Sequence, residues 1–215
     1  MNVLIFLGKG GGGKTVTTIN LAVVAHRLGL SVGLLDADPQ CSLSDWRHAR
    51  GTADIPVRPC RPDQLEETLR LARRRNLHWL LIDMPPDLGT HTFAAVRAAD
   101  LVLLPMRPAL FDLAVTRQRV ELCRTAGRRV AVVINAAPPR RENLESPLVR
   151  DARAALHNIG AGLWRGQITH RHCIPGALIS GQGVAEVEPA GPAAAEYEQL
   201  WQAIVHNTQS WRISA

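Results

Sequence analysis

The sequence Gly8-Lys9-Gly10-Gly11-Gly12-Gly13-Lys14-Thr15 directly follows the apolar run Val3–Leu7. It matches the phosphate-loop pattern G-x-x-x-x-G-K-[ST] at every fixed position. The apolar run predicts a buried strand, and Val16–Leu28 carries apolar residues at helical spacing before Gly29. The loop is therefore predicted to lie between a strand and a helix, the context that the motif requires. A flexible glycine turn is the structural alternative, and this context disfavours it.

The residue types of this loop suit the binding of a nucleotide. Glycines let successive backbone N–H groups turn inward, and the N-terminus of the following helix favours anionic phosphate. The pattern assigns Lys14 to the β- and γ-phosphates and the Thr15 hydroxyl to Mg²⁺. Lys9 and Lys14 are the two lysines among 25 basic residues, so the loop is also unusual in using lysine where the chain otherwise uses arginine.

The segment from Lys9 to Thr15 resembles the deviant Walker A motif of the ParA/MinD class of ATPases. In that class an extra lysine near the loop start reaches the nucleotide of a second subunit, which implies this role for Lys9. Gly12 and Val16 depart from the family pattern, which usually has a small aliphatic residue and a second hydroxyl residue there. The resemblance implies ATP and Mg²⁺ as cofactors, bound by Gly10, Gly11, Gly12, Gly13, Lys14, Thr15 and Val16.

Length and composition predict a single globular domain over residues 1–215, with 46% hydrophobic residues and a net charge of +6. No apolar run approaches the roughly 18 residues that span a bilayer, and the start of the chain lacks a basic leader. We therefore expect a cytoplasmic protein without a helix-turn-helix extension before the loop. The four cysteines are widely spaced and predicted to be reduced, with an interfacial iron–sulfur cluster as a weak alternative.

Apolar runs alternate with amphipathic segments along most of the chain. Strands are predicted at Val3–Leu7, Val32–Leu35, Trp79–Ile82, Leu101–Leu104 and Val130–Ile134. Helices are predicted at Val16–Leu28, Pro62–Arg75, Thr90–Ala98, Asp112–Ala126, Pro147–Ile159 and near Ala193–Val205. This order predicts an α/β fold with a mostly parallel twisted sheet and helices on both faces. Ligands of such sheets bind beyond the carboxyl ends of the strands.

Polar residues follow several of these predicted strands. Asp36 and Asp38 come after the second, Asp83 after Leu80–Ile82, and Asn135 after the last. In isolation, each could simply be a turn or cap residue. The ParA/MinD resemblance implies that Asp38 orients the hydrolytic water, that Asp36 and Asp83 join Thr15 on the metal side, and that Asn135 contacts adenine.

Positive charge is concentrated late in the chain. Between Arg117 and Arg171, 11 arginines stand against four acidic residues, which indicates either a polyanion partner or a solvated face. ParA proteins hold arginines in this region that contact DNA phosphates without sequence preference. The residues implied for this role are Arg141, Arg150, Arg153, Arg165 and Arg171.

The apolar stripe of Tyr197, Leu200, Trp201, Ile204 and Val205 near the end of the chain predicts a core face rather than a membrane-binding helix. The resemblance as a whole implies a ParA-like ATPase, catalytic through Lys9, Lys14 and Asp38. Such a protein dimerises with ATP, binds nonspecific DNA on the nucleoid, and positions plasmid, chromosome or protein cargo with a ParB-like or cargo adaptor protein. A MinD-like membrane-surface ATPase and a metabolic P-loop enzyme are the alternatives.

Overall fold

The computed structural model describes residues 1–212, in which strands and helices alternate. The strands are β1 (Asn2–Phe6), β2 (Val32–Asp36), β3 (Val57–Pro59), β4 (Trp79–Asp83), β5 (Leu101–Met106), β6 (Val130–Ile134) and β7 (Gly162–Leu163). The helices are α1 (Lys14–Arg27), α2 (Ser42–Arg50), α3 (Leu65–Arg73), α4 (Thr90–Ala98), α5 (Leu110–Thr125), α6 (Pro147–Leu156), α7 (Cys173–Ile179), α8 (Val184–Val187) and α9 (Pro192–Arg212). A 3-10 turn at Pro62–Gln64 precedes α3.

The strands form one parallel sheet in the order β3-β2-β4-β1-β5-β6-β7. The prediction of an α/β fold with a parallel sheet is thus confirmed. Strand β1 lies between β4 and β5, so the loop that follows it leaves the middle of the sheet. The register pairs Asp36 with Asp83 at the ends of β2 and β4, which brings the two predicted metal-side carboxylates to one edge.

Two hydrophobic cores cover the two faces of the sheet. Alternate residues of β1 divide between them, as expected for a strand buried on both sides: Leu4 and Phe6 face one core, and Val3 and Ile5 face the other. Helices α1 and α9 supply much of the first core, while α3, α4, α5 and α6 contribute to the second. The carboxyl edge of the sheet, with the loops that follow the strands, is therefore supported by packed helices on both faces.

The apolar stripe of α9 belongs to the first core, as predicted. Tyr197, Leu200, Trp201 and Ile204 are each at most 2% exposed. The Trp201 ring packs edge-on against Trp79 of β4, with the ring centroids 4.8 Å apart. Helix α9 therefore packs against the sheet along its apolar stripe, the part of the helix for which membrane binding was the alternative.

All five predicted strands are present. The structure adds two strands at the edges of the sheet that were not predicted. Strands β3 and β7 have three and two residues, too few to show an alternating pattern. Helix α2 was also missed because its mean hydropathy is low and only Leu43 and Trp46 are buried. The assignment of 1–215 to one domain stays a prediction. None of the helices within residues 1–212 combines the length and apolar character needed to cross a bilayer.

Candidate nucleotide site

The glycine loop runs from the end of β1 to the start of α1 and packs against the end of β5. A Cβ atom placed on Gly8 or on Gly12 would lie 3.0 Å from the carbonyl oxygen of Pro105. Gly13 precedes α1 with a φ of 93°, a conformation that favours glycine. The Gly12 N–H donates to the Lys9 carbonyl at 3.1 Å, which closes a tight turn. Gly12, which stands where the family usually has a small aliphatic residue, therefore lies where a side chain has little room.

Lys14 lies in the first turn of α1 and is 6% exposed. Burial lowers the pKa of its ammonium group, while the carboxylates of Asp83 and Asp38 act in the opposite direction. A buried cation in the first turn of a helix attracts phosphate strongly, because the helix N-terminus adds its own positive field. This placement agrees with the predicted contact of Lys14 with the terminal phosphates of a nucleotide.

The predicted metal-side residues meet beside Lys14. The Thr15 hydroxyl donates to Asp83 Oδ2 at 2.5 Å. Asp83 is fully buried, and this burial raises the pKa of its carboxyl from 3.8 to about 7, assisted by the charges of Asp36 and Asp38 and opposed by Thr15 and Lys14. The site thus contains an acid that ionises near neutral pH unless a cation stabilises it.

Two carboxylate oxygens in this region have no hydrogen-bond partner among the described residues. They are Asp36 Oδ1 and Asp83 Oδ1, both buried. The other oxygen of Asp36 accepts from the backbone N–H and the hydroxyl of Ser44 at 2.9 and 2.8 Å. Mg²⁺ prefers hard oxygen ligands and commonly combines one or two carboxylates with phosphate oxygens and water. The donor set of Thr15, Asp36 and Asp83 therefore fits Mg²⁺, and the metal would supply positive charge to the phosphates.

Asp38 lies on the loop between β2 and α2 and lines the same cavity as Lys14. Its Oδ1 accepts from the Gln40 N–H at 3.0 Å, which forms a local turn. The Cys41 N–H donates to the Asp38 carbonyl, and Cys41 itself has a φ of 54°. The loop therefore holds Asp38 next to the site through short-range contacts. Its role toward water stays a prediction.

Asn135, at the end of β6, is 6% exposed and contacts the loop directly. Its amide nitrogen donates to the Gly12 carbonyl at 2.9 Å. The predicted position at the nucleotide cavity is thus observed, and adenine contact remains a prediction. The structure adds a second use of the side chain, since Asn135 also braces the loop in this conformation.

Lys9 is placed differently from Lys14. Its ammonium nitrogen lies 3.2 Å from Asp112 Oδ1 on α5 and 5.9 Å from the centre of the Phe111 ring. The Lys9 side chain is 46% exposed, and the neighbouring Leu110 and Phe111 are 75% and 74% exposed. The same Asp112 accepts from the Arg107 N–H. Lys9 is therefore held at an accessible apolar rim of the site.

A cavity of about 470 Å³ joins these elements. Besides the loop, Asp38 and Asn135, its lining includes residues that sequence reasoning did not assign to the nucleotide: Arg107, Thr169, His170, Ile174, Pro175 and Tyr197. These residues come from segments far apart in sequence. Sequence order offered one signal for these residues. Ile168–His172 follows the predicted strand Val130–Ile134 and the predicted helix Pro147–Ile159, which indicates a place at the same edge of the sheet.

Arg119 on α5 is a further residue that the sequence reading missed. It is 4% exposed and donates to the carbonyls of Pro86 and Val115. Burial lowers the pKa of this guanidinium, while Asp87 acts in the opposite direction. Arg119 therefore fixes the segment that follows Asp83 to α5, the helix that also holds Lys9. Its spacing on an amphipathic helix gave no sign of this contact.

The five arginines assigned to DNA fall into two groups. Arg141, Arg150 and Arg165 are exposed. Arg153 binds Glu145 and donates to the carbonyls of Trp164, Arg165 and Gly166, so its donors are used to hold the segment after β7.

Arg171 makes a bidentate pair with Glu196 of α9 at 2.7 and 2.9 Å, and it lines the nucleotide cavity. The hydrogen bonds to Glu196 raise the pKa of this guanidinium. In this conformation Arg153 and Arg171 are structural cations, and the exposed three are the ones free to reach a polyanion.

A strand–loop–helix phosphate site at the centre of a parallel sheet defines this chain as a P-loop nucleotide-binding protein. A family model described as the CobQ/CobB/MinD/ParA nucleotide binding domain matches residues 3–209. The chain belongs to this family, and the predicted ParA/MinD resemblance is confirmed. Structures of such proteins are known with Mg-ADP and with ATP, so ATP and Mg²⁺ are confirmed as the cofactors of this class.

Two curated relatives share one name, maintenance of carboxysome distribution protein A. The one from Gloeobacter kilaueensis is 36% identical over 189 residues, covering 77% of this chain and 85% of the relative. The one from Halothiobacillus neapolitanus is 28% identical over 197 residues, covering 87% and 88%. The apo McdA structure from Cyanthece is similar in fold, with a TM-score of 0.80 at 16% identity over 95% of this chain and 99% of that one.

Proposed function

We propose that this protein is an ATP-switched positioning ATPase. ATP and Mg²⁺ bind in the cavity described above, two subunits close face to face over the nucleotides, and the dimer binds nonspecific DNA. Hydrolysis, stimulated by a ParB-like or cargo adaptor protein, resets the dimer and releases it from the nucleoid. Repeated cycles position a cargo in the cytoplasm.

The observation that carries this proposal is the second lysine of the loop. Lys9 lies at the rim with nearly half of its side chain exposed, beside the exposed Leu110 and Phe111. A second copy of the chain would bury these two apolar residues. Lys9 would then leave Asp112 and contact the nucleotide bound by the second copy. Because an in-trans cation at a transferring phosphoryl group contributes about 10³–10⁵ in rate for comparable NTPases, dimerisation would then control turnover.

Each residue near the phosphates has a role in this proposal. Lys14 and the loop N–H groups hold the phosphates, and Thr15, Asp36 and Asp83 hold Mg²⁺, which supplies charge neutralisation. Asp38 orients the attacking water. These assignments are supported by the burial of Lys14 and Asp83 and by the unpaired carboxylate oxygens at the same edge of the sheet.

The relatives favour a large protein body as cargo over a plasmid or chromosome, since both proteins reported above are named for carboxysome distribution. A MinD-like membrane-surface ATPase is the second candidate, although the apolar stripe of α9 is used in the core. A metabolic P-loop enzyme is the third, and the arginine surplus would have no use in it. Co-sedimentation with liposomes distinguishes the MinD-like candidate from our proposal, since only a membrane-surface ATPase would sediment with them.

The decisive experiment measures binding to nonspecific duplex DNA with ATP, with ADP and without nucleotide, each across a salt titration. We expect binding with ATP alone, falling steeply with salt because bound arginines release counterions. Arg150→Ala combined with Arg165→Ala removes four arginines from the dimer, and it should weaken this binding and lower the salt slope by about 4. Arg124→Ala is the matched control, since Arg124 is also exposed but pairs with Glu121 within α5. Nucleotide-independent binding would contradict the ATP switch, and no binding at low salt would exclude DNA as the matrix.

A further inference from the structure

A second cavity, of about 440 Å³, lies on the face of the sheet that carries the first core. Its walls are apolar residues of β5, β6 and β7 on one side and of α9 on the other. None of the described residues that line it also lines the nucleotide cavity. Small-molecule sites in proteins typically have volumes of about 300–1,000 Å³. The cavity is therefore large enough for a ligand of its own.

Small residues at the edge of the sheet leave this space open. Ala131 of β6 is in register with Gly162 of β7, so two neighbouring positions have little or no side chain. Every residue of β2, β4 and β5 is buried, whereas Ala131 and Leu163 keep part of their surface exposed. Trp164, directly after β7, is also half-buried. The floor of the cavity is thus apolar and accessible.

The rim of the cavity is positively charged. Arg124, Arg128 and Arg129 line it, and none of the described lining residues is acidic. Arg124 pairs with Glu121. Arg128 is half-buried, and its enclosed Nε has no hydrogen-bond partner among the described residues. Because the charge of a guanidinium is delocalised, an anion at the exposed part of Arg128 would compensate the buried part as well.

We propose that this cavity binds a small amphipathic carboxylate. The apolar chain of the ligand lies against Ala131, Leu163 and Trp164, and Arg128 binds its carboxylate, the group that a planar guanidinium matches in shape and charge. The charge of the rim selects an anion, and the apolar floor selects a hydrocarbon chain.

The surface around the cavity favours a small molecule over a protein. A protein partner typically buries about 800 Å² on each side. None of the large apolar side chains that are exposed within residues 1–212 lines this cavity. The accessible apolar surface here is confined to a recess, which suits a chain that enters it. The inference goes beyond the proposed function and does not depend on nucleotide, dimer or DNA.

The test is calorimetric titration of the full chain with decanoate and with decanol, which has the same chain but no charge. The wild type should bind decanoate saturably and decanol about tenfold more weakly, as expected for the loss of a charge-assisted hydrogen bond. Arg128→Gln should weaken decanoate binding about tenfold and leave decanol binding unchanged. Arg97→Gln is the matched control, because Arg97 is an exposed arginine of α4 that does not line the cavity.

A second variant tests the apolar part of the site. Ala203→Leu adds volume from α9 at a partly exposed position, where leucine also suits a helix. It should remove saturable binding of both decanoate and decanol. Its urea midpoint and its ATP affinity should match those of the wild type, since Ala203 does not line the nucleotide cavity. A wild type that fails to bind ATP would refute the proposed function and leave this titration valid.

The inference is overturned if the wild type shows no saturable decanoate binding, or if it binds decanoate and decanol equally well. Unchanged decanoate affinity in Arg128→Gln would also overturn it. Co-sedimentation with phosphatidylglycerol vesicles is the last arm of the test. Sedimentation that depends on Arg128 and that decanoate does not displace would assign the charged rim to a membrane surface instead of a free carboxylate.

Discussion

Substitution of Asp83 by asparagine should stabilise the nucleotide-free protein while removing its response to Mg²⁺. Asp83 is buried at the end of β4, beside the Thr15 hydroxyl that donates to it. Asparagine has nearly the same shape and keeps an oxygen that can accept this hydrogen bond. The change therefore removes one buried negative charge and leaves the packing in place.

The size of the effect follows from the pKa of the carboxyl, which burial raises from 3.8 to about 7. Because the folded state holds the proton more tightly than the unfolded state, the wild type loses stability as the pH rises from about 4 through about 7. A difference of about 3 units corresponds to about 4 kcal/mol once both states are ionised. The attraction between Asp83 and Lys14 is already included in this pKa, since Lys14 acts to lower it.

The assay is urea unfolding at pH 8 and at pH 5, without nucleotide. At pH 8 the variant should exceed the wild type by up to about 4 kcal/mol, and at pH 5 by less than half of that, since the wild-type carboxyl is then protonated in the folded state. With Mg²⁺ and ATP the order should reverse, because the metal stabilises the ionised wild type by binding it. A variant that is no more stable at pH 8, or a gain that does not shrink at pH 5, would refute the reasoning.

Two further predictions concern the loop. Lys9→Ala should keep ATP affinity within about twofold yet lose ATP-dependent dimers and about 10³ or more in turnover; light scattering that detects normal dimers would contradict the in-trans role. Gly12→Ala should cost about 1–3 kcal/mol of stability and weaken ATP binding, because its Cβ meets the Pro105 carbonyl at 3.0 Å. Gly10→Ala is the stability control, since its Cβ would meet nothing within 4 Å, and equal unfolding midpoints for the two would show that the loop can move aside.

Much of the fold could be predicted because the central strands are continuous apolar runs. Each of β1, β2, β4, β5 and β6 is buried on both faces, so its signal does not depend on the partner. The carboxyl ends of these strands then bring Asp36, Asp83 and Asn135 to one edge. The parallel topology alone accounts for that part of the candidate site.

The remaining parts depend on contacts between distant segments. Tyr197 reads as one more apolar position of an amphipathic helix, and only its place above α1 brings it to the cavity. Arg119 and Arg153 likewise read as surface cations, although both bind backbone carbonyls inside the fold. A sequence pattern reports the face on which a side chain lies. It does not report which carbonyl or carboxylate the side chain will contact.

The short strands at both ends of the sheet affect how copies of this chain can meet. Strand β3 ends at Pro59, which has no N–H to donate, and β7 has two residues, so neither side offers a long template for strand addition. Joining of sheets into fibres is thereby disfavoured. Contacts between copies are left to loops and helices, and under the proposed function assemblies made in this way can be taken apart in every cycle of ATP hydrolysis.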